Sequence, residues 1–331
     1  MSTVVDPRSP LLRWRALPFP ADWYDIFGFT GPLELEVGFG DGRFTVRRAL
    51  AEPETRFVGL EVSSGSLQRA MRRVRRSDTT NVRLAKAGAA FALRHLFAPA
   101  SLRAIVVNFP DPWPKERHAK HRLLRRSFFD LAAARLEPGG EVRLATDHPD
   151  YLAFALAEAE ASGRFDVLAP EPPPEVFETK YALKWRDQGK PLHYVVFRRR
   201  EADAPVIPPL ERPTTMPHAL LRGALPEAAP FEKTVLTYED GHVILHEAAR
   251  VLGGEEGGSA VGRWLVRATV EEPDLKQQLL VLVQQRAPDE VIVRLESFGD
   301  PIITKAARGA VHGVTEWLAA ATPLRVTARN Y

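Results

Sequence analysis

The chain contains no cysteine. Disulfides, thiolate nucleophiles and zinc–thiolate sites are therefore excluded, and no metal is expected. No run approaches the ~20 apolar residues that a membrane span needs. The N-terminal segment carries Asp6, Arg8, Arg13 and Arg15 with no apolar core, so no secretory leader is expected. A cytoplasmic protein without membrane attachment is the expectation. What the chain does have is apolar content: 45% of its 331 residues are hydrophobic, enough for packed cores rather than global disorder. That length suits about two domains.

The net charge of +3 hides an asymmetry. Residues 1–200 carry 32 Lys+Arg against 24 Asp+Glu, or +8, and residues 201–331 carry 13 against 18, or −5. A basic first part favours polyanionic partners. From Leu33 onward, short apolar strands alternate with helical stretches. Strands are expected at Leu33–Val37, Arg56–Glu61, Asn81–Ala85, Leu102–Asn108 and Glu141–Ala145, with two closing strands at Phe165–Leu168 and His193–Arg198. The helix Leu124–Leu136 is expected to stop at Pro138-Gly139-Gly140. This order predicts a doubly wound parallel α/β sheet over residues 1–200. Seven prolines in 201–230 predict a semi-rigid linker. Residues 231–331 then show strands, Thr234–Leu245 first among them, followed by one helix, which predicts a small α+β domain of unassigned role.

The most specific segment is Asn108-Phe109-Pro110-Asp111-Pro112-Trp113-Pro114-Lys115. It follows a buried strand, and prolines cannot continue one. They fix the backbone, so Asp111, Trp113 and Lys115 are held at a strand's carboxyl end, where open α/β sheets bind ligands. The basic run Arg117-His118-Ala119-Lys120-His121-Arg122 follows at once, which points to nucleic acid.

A second motif, Glu36-Val37-Gly38-Phe39-Gly40-Asp41-Gly42, lies between the first strand and a helix. Its G-x-G-x-G spacing is neither the dinucleotide fingerprint nor a phosphate loop. An acid before the glycines suits a cationic ligand, and S-adenosylmethionine carries a sulfonium and an ammonium. An ordinary glycine turn is the bland alternative. Glu61 ends the second strand about 20 residues on, the position that accepts ribose hydroxyls. Asp147 ends the fifth strand beside the same crevice, either facing it or capping the helix that starts at Pro149. Thr179-Lys180-Tyr181-Ala182-Leu183-Lys184-Trp185-Arg186 interleaves basic and aromatic residues, a pattern of base-stacking sites and also of plain surface loops. The arginines at 69, 72, 73, 75 and 76 share one helix and read as a solvated face.

With these motifs in place, residues 33–200 resemble the bacterial tRNA (guanine-N7)-methyltransferases. The likeness is carried by the acid before G-F-G-D-G, by Gly59-x-Glu61, by the D-P-W-P-K-x-R-H-x-K string, by Thr146-Asp147 and by Thr179-x-Tyr181. The resemblance implies a class I S-adenosylmethionine-dependent methyltransferase sheet of Rossmann-like type, and a guanine at position 46 of the tRNA variable loop as target. Carried across, Glu36, Gly38, Gly40, Gly42, Glu61, Gly88 and Asp111 would bind the cofactor, with Asp111 also catalytic. Lys115, Asp147, Thr179, Lys180, Tyr181 and Ala182 would bind the guanosine, and Arg117, His118, Lys120 and Arg122 the tRNA backbone. Two positions depart from the family pattern. Gly88 stands where an acid or amide would hold the adenine amine, and Ala182 where a glutamate would meet the guanine edge. A methyltransferase for another RNA, or an RNA-binding relative without activity, are the alternatives these departures leave.

Overall fold

A computed structural model describes residues 9–179, 182–183, 191–201, 204–211, 213, 215–239, 241–251, 255–256, 259–260 and 262–331. The chain divides into two units, Met1–Pro209 and Leu210–Tyr331.

The first unit holds strands β1 (Leu33–Val37), β2 (Arg56–Glu61), β3 (Val82–Lys86), β4 (Leu102–Asn108), β5 (Leu136–Thr146), β6 (Phe165–Leu168) and β7 (His193–Arg199). Their order in the sheet is β3-β2-β1-β4-β5-β7-β6. The first five run parallel, and burial on both faces matches the unbroken apolar run Ala104–Val107 of the central β4. The expectation of a parallel sheet fails at one side: β7 runs antiparallel to both β5 and β6. Antiparallel entry needs no crossover helix, so β7 can be wedged between its neighbours. Helices α1 (Trp23–Phe27), α2 (Arg43–Ala51), α3 (Ser64–Ser77), α4 (Ala89–His95), α5 (Arg126–Arg135), α6 (Pro149–Ser162) and α7 (Pro174–Phe177) complete the unit. The run Pro138-Gly139-Gly140 does not stop α5. It lies inside β5, where the β4 pairing slips between Leu102 and Ala104. A Cβ at Gly140 would meet the Arg103 and Leu102 carbonyl oxygens at 3.0 and 3.1 Å, so the strands approach closely there.

Two local devices matter later. At the β3 edge, Leu12 N donates to Leu84 O (2.8 Å) and Leu84 N to Pro10 O (2.7 Å), while Trp14 Nε1 donates to Lys86 O (2.8 Å). At the end of α5, Arg135 is fully buried. Its guanidinium donates to the carbonyls of Leu93 (2.7 Å), Arg94 (2.8 Å) and Ile207 (2.6 Å), tying the last turn of α4 to the proline-rich segment. A cation suits a helix C-terminus. Arg135→Ala is expected to cost about 2–4 kcal/mol in urea unfolding, because one buried and two partly buried carbonyls lose their donor. A change under about 0.5 kcal/mol would show the guanidinium to be idle.

The second unit is one antiparallel sheet of β8 (His218–Arg222), β9 (Thr234–Tyr238), β10 (Gly241–Arg250), β13 (Arg263–Glu271), β14 (Lys276–Ala287), β15 (Glu290–Leu295) and β16 (Arg325–Asn330). A short hairpin, β11 (Glu255–Glu256) with β12 (Ser259–Ala260), stands apart from it. Helix α8 (Lys305–Ala321) covers one sheet face, burying Ala307, Val311, Val314 and Leu318 against the alternate residues of the central strands. This is the expected α+β arrangement, with two corrections. The stretch Thr234–Leu245 is divided between two antiparallel strands, β9 and β10. The proline-rich stretch is not linker throughout: β8 sits between β16 and β15, with Pro217 just before it, where no ladder donor is lost.

Candidate functional site

The carboxyl ends of the parallel strands surround a cleft of about 550 Å³. Its wall includes Gly38, Gly40, Glu61, Asn108, Asp111 and Trp113. The glycine loop and the D-P-W turn therefore face one cavity, because β1 and β4 are neighbours in the sheet.

The loop after β1 turns through Gly38 (φ +78°) and Gly40 (φ +58°), conformations that favour glycine. A Cβ at either would meet nothing within 4 Å, so the loop presents bare backbone to the cleft. Gly42, expected at the cofactor, is the N-cap of α2 and is not among the residues of this cleft wall. A Cβ there would stand 2.8 Å from Ala70 Cβ, so its glycine lets α2 start close against α3.

Glu61 is held by backbone donors on both carboxylate oxygens. Its Oε2 accepts from Gly40 N (3.2 Å) and its Oε1 from Val62 N (2.8 Å) and Ser63 N (3.0 Å). Three backbone donors orient the carboxylate while leaving lone pairs for a diol. Glu36 stands behind the wall rather than on it, 6% exposed. Thr45 Oγ1 donates to one of its oxygens, and Asn108 Nδ2 donates to the other at 3.4 Å. Burial pushes the Glu36 carboxyl up to about 7, against the opposing pull of those hydrogen bonds. The Asn108 Oδ1 is buried and has no hydrogen-bond partner among the described residues. A buried carboxylate and an orphan acceptor side by side fit a cationic ligand group. Sequence reasoning passed over both Asn108 and Thr45. Asn108 did carry a signal, being the polar residue that ends an apolar strand. Thr45 carried none, since only the docking of α2 on β1 brings it there.

The D-P-W turn is strained where it matters. Phe109 (φ +52°) and Trp113 (φ +42°) both lie in the left-handed region. Asp111 between them is exposed, and Trp113 is 37% exposed on the cleft wall rather than packed in a core. The rings of His121 and His118 gather around Trp113, with centroids 5.2 and 5.7 Å from it. Arg122, expected at the RNA backbone, instead turns onto its own loop. It donates to Pro112 O (3.0 Å) and Trp113 O (3.2 Å) and lies 4.8 Å over the Phe154 ring. It is a fastener for the strained turn. Lys115, Arg117 and Lys120 are exposed and His118 is half-buried.

Asp147 does not cap α6: His148 is the N-cap residue, and its N–H donates to Thr146 Oγ1 (3.2 Å). Asp147 remains at the carboxyl end of β5, next to β4. Thr179 is buried, and its hydroxyl is used locally, donating to Val176 O (3.0 Å) and accepting from Ala182 N (3.1 Å). Ala182 is buried too. Lys180, Tyr181 and residues 184–186 lie outside the described residues. Gly88 is the N-cap of α4, between the wall residues Ala87 and Ala89, so only backbone serves the cleft at that position. No group of three or more His, Asp or Glu among the described residues is placed to hold a metal, and no described helix is long and apolar enough to cross a membrane.

The family model described as "Putative methyltransferase" matches residues 30–195, the part of the chain that forms this cleft. A tRNA (guanine-N(7)-)-methyltransferase of Thermus thermophilus is 43% identical over 94% of this chain and 94% of its own length. One from Deinococcus radiodurans is 43% identical over 87% of this chain and 89% of its own, and one from Thermotoga maritima is 32% identical over 91% and 94%. A match of 310 residues cannot be accommodated by the first unit, so the likeness extends into the second. Methyltransferase motifs around one cleft, and identity that runs from that cleft through the second unit, agree: the chain belongs to the tRNA (guanine-N(7)-)-methyltransferase family.

Proposed function

We propose that the chain transfers the methyl group of S-adenosylmethionine to N7 of guanine in tRNA, at position 46 of the variable loop. The observation that carries this reading is the placement of Asp111 and Trp113 on the same cleft wall as Glu61 and the glycine loop. Donor site and D-P-W motif thus meet at one cavity.

The residues present fit the cofactor. Glu61 offers two oriented carboxylate oxygens to a ribose diol. Glu36 and the Asn108 amide oxygen offer acceptors to a cationic methionyl end. The bare backbone of Gly38 and Gly40 allows close approach. When bound, S-adenosylmethionine supplies an electrophilic methyl on a sulfonium and leaves as the neutral thioether.

Guanine N7 has a free lone pair and no proton, so the chain needs no general base. His118 and His121 are thereby released from a base role. The chain's contribution is alignment of the nucleophile with the methyl–sulfur bond. The purine becomes cationic as the bond forms, and the Asp111 carboxylate stabilises that charge. Asp147, Lys115 and the Thr179–Ala182 segment hold the extruded guanosine, with the Trp113 face as its stacking surface. Arg117, His118 and Lys120 meet the adjoining phosphates.

The test is transfer of labelled methyl to an unmodified tRNA transcript with guanine at the variable-loop position, against one with adenine there. Label on the guanine transcript alone is expected. Label on neither, with cofactor still bound, would redirect the reading to another RNA. Failure to bind cofactor would mean that Gly88 and Ala182 mark an inactive relative.

A further inference from the structure

Several arginines of the first unit pair with carboxylates. Arg48, Arg103 and Arg143 share the buried Glu34, and Arg126 and Arg164 share Asp130. Arg198 and Arg200 have Glu141 and Asp166. Others spend their donors on backbone carbonyls, Arg56, Arg135 and Arg199 among them. Exposed cations with no carboxylate partner among the described residues are densest in two stretches. One is the turn after the D-P-W motif, already assigned above. The other is α3, where Arg72, Arg75 and Arg76 are exposed and unpaired, and where Arg69 reaches only Ser66 Oγ (3.0 Å).

Helix α3 has no acidic residue along its 14 positions. Its buried face is Leu67, Ala70 and Val74. Arg69, Arg72 and Arg76, at i, i+3 and i+7, form the opposite stripe. Arg73 beside them is turned aside, donating to the Asp41 backbone oxygen (3.0 Å) and carboxylate (3.2 Å). The helix dipole accounts for basic residues in the last turn, which are Arg75 and Arg76. It does not account for Arg69 and Arg72 in the middle of the helix. The start of α3 touches the cleft, since Ser63 and Ser66 line it. The stripe therefore starts about one turn beyond the cleft rim and runs away from it for roughly 10 Å at 1.5 Å per residue.

We infer that the exposed face of α3, centred on Arg69, Arg72 and Arg76, is a docking surface for the tRNA sugar–phosphate backbone outside the methylated nucleotide. The inference rests on the proposed function. Guanidinium forks match phosphate bidentately, and here no internal carboxylate competes for them. A tRNA whose variable loop enters the cleft extends well past its rim, so phosphates come within reach of this helix. The stripe extends the cationic track of Lys115–Lys120 to a second side of the cleft.

The test uses the full chain and a fluorescent tRNA transcript, titrated at several salt concentrations. Arg72→Gln/Arg76→Gln is expected to weaken binding about tenfold near 0.1 M salt and to reduce the salt slope by about 2. Arg72→Glu/Arg76→Glu should weaken it further, with cofactor affinity by calorimetry held within about twofold. Unchanged tRNA affinity and slope in the glutamine pair would overturn the assignment and return α3 to a solvated face. A wild type that binds tRNA with the expected slope but methylates no tRNA would instead overturn the functional reading and leave the stripe standing.

Discussion

Asp111→Ala is expected to lower kcat by about 10²–10³-fold while leaving tRNA affinity within about twofold. The side chain is exposed between two prolines, so its loss buries nothing unpaired and the melting temperature should stay put. The turn itself is held from outside by Arg122, which grips the Pro112 and Trp113 carbonyls. The backbone that presents the carboxylate therefore survives the substitution. What disappears is a negative charge placed where the purine ring becomes cationic. Single-turnover rates with bound tRNA would isolate this step. A parallel loss of tRNA affinity would assign Asp111 to scaffolding, and an unchanged rate would remove it from catalysis.

Glu36→Gln is expected to act in opposite directions on stability and on cofactor binding. The folded Glu36 carboxyl sits near 7, above its ordinary value of 4.5, because burial disfavours the anion. Between those two values the folded state holds a proton that the unfolded chain has released. Stability therefore falls as pH rises from about 4.5 to about 7, and stays lowered above that. At about pH 8 the glutamine variant should resist urea by of the order of 2–3 kcal/mol more than the wild type, and at about pH 4 the two should match. Cofactor binding should move the other way. A cationic ligand favours the ionised carboxylate, so wild-type affinity should rise through pH 7 with release of a proton on binding, and the variant should lose both affinity and proton release. Calorimetry in buffers of different ionisation enthalpy reads this directly. A variant that binds cofactor as tightly as the wild type would confine Glu36 to the packing of Thr45 and Asn108.

The legible part of this molecule was the part whose chemistry is local in sequence. Glu61 follows the glycine loop at the distance that a strand–helix–strand unit imposes, and the structure ties the two through Gly40 N. Asp111 is fixed by prolines on either side, and that too needs no tertiary information. Arg122 shows the opposite case. In a basic run it reads as one more solvent-facing cation, because the carbonyls it binds lie nine and ten residues back and no local pattern brings the run back onto them. Gly42 matched a ligand-binding pattern, yet its reason is Ala70 on another helix. The strand β8 was hidden by the density of prolines around it. Its own five residues contain none, and they pair on both sides. The arginines of α3 read as bland surface until the commitment of other arginines to carboxylates and carbonyls was visible.

The three residues that hydrogen-bond at the β3 edge have a consequence beyond local order. A parallel sheet ends in a strand whose outward peptide groups are a ready template for a foreign strand. Here Pro10 and Leu12 occupy the two Leu84 positions that such a strand would use, and Trp14 takes the Lys86 carbonyl. The segment ahead of the first helix is thus a guard against self-association, closing with a few residues the side of the sheet that lies farthest from β5 and β7.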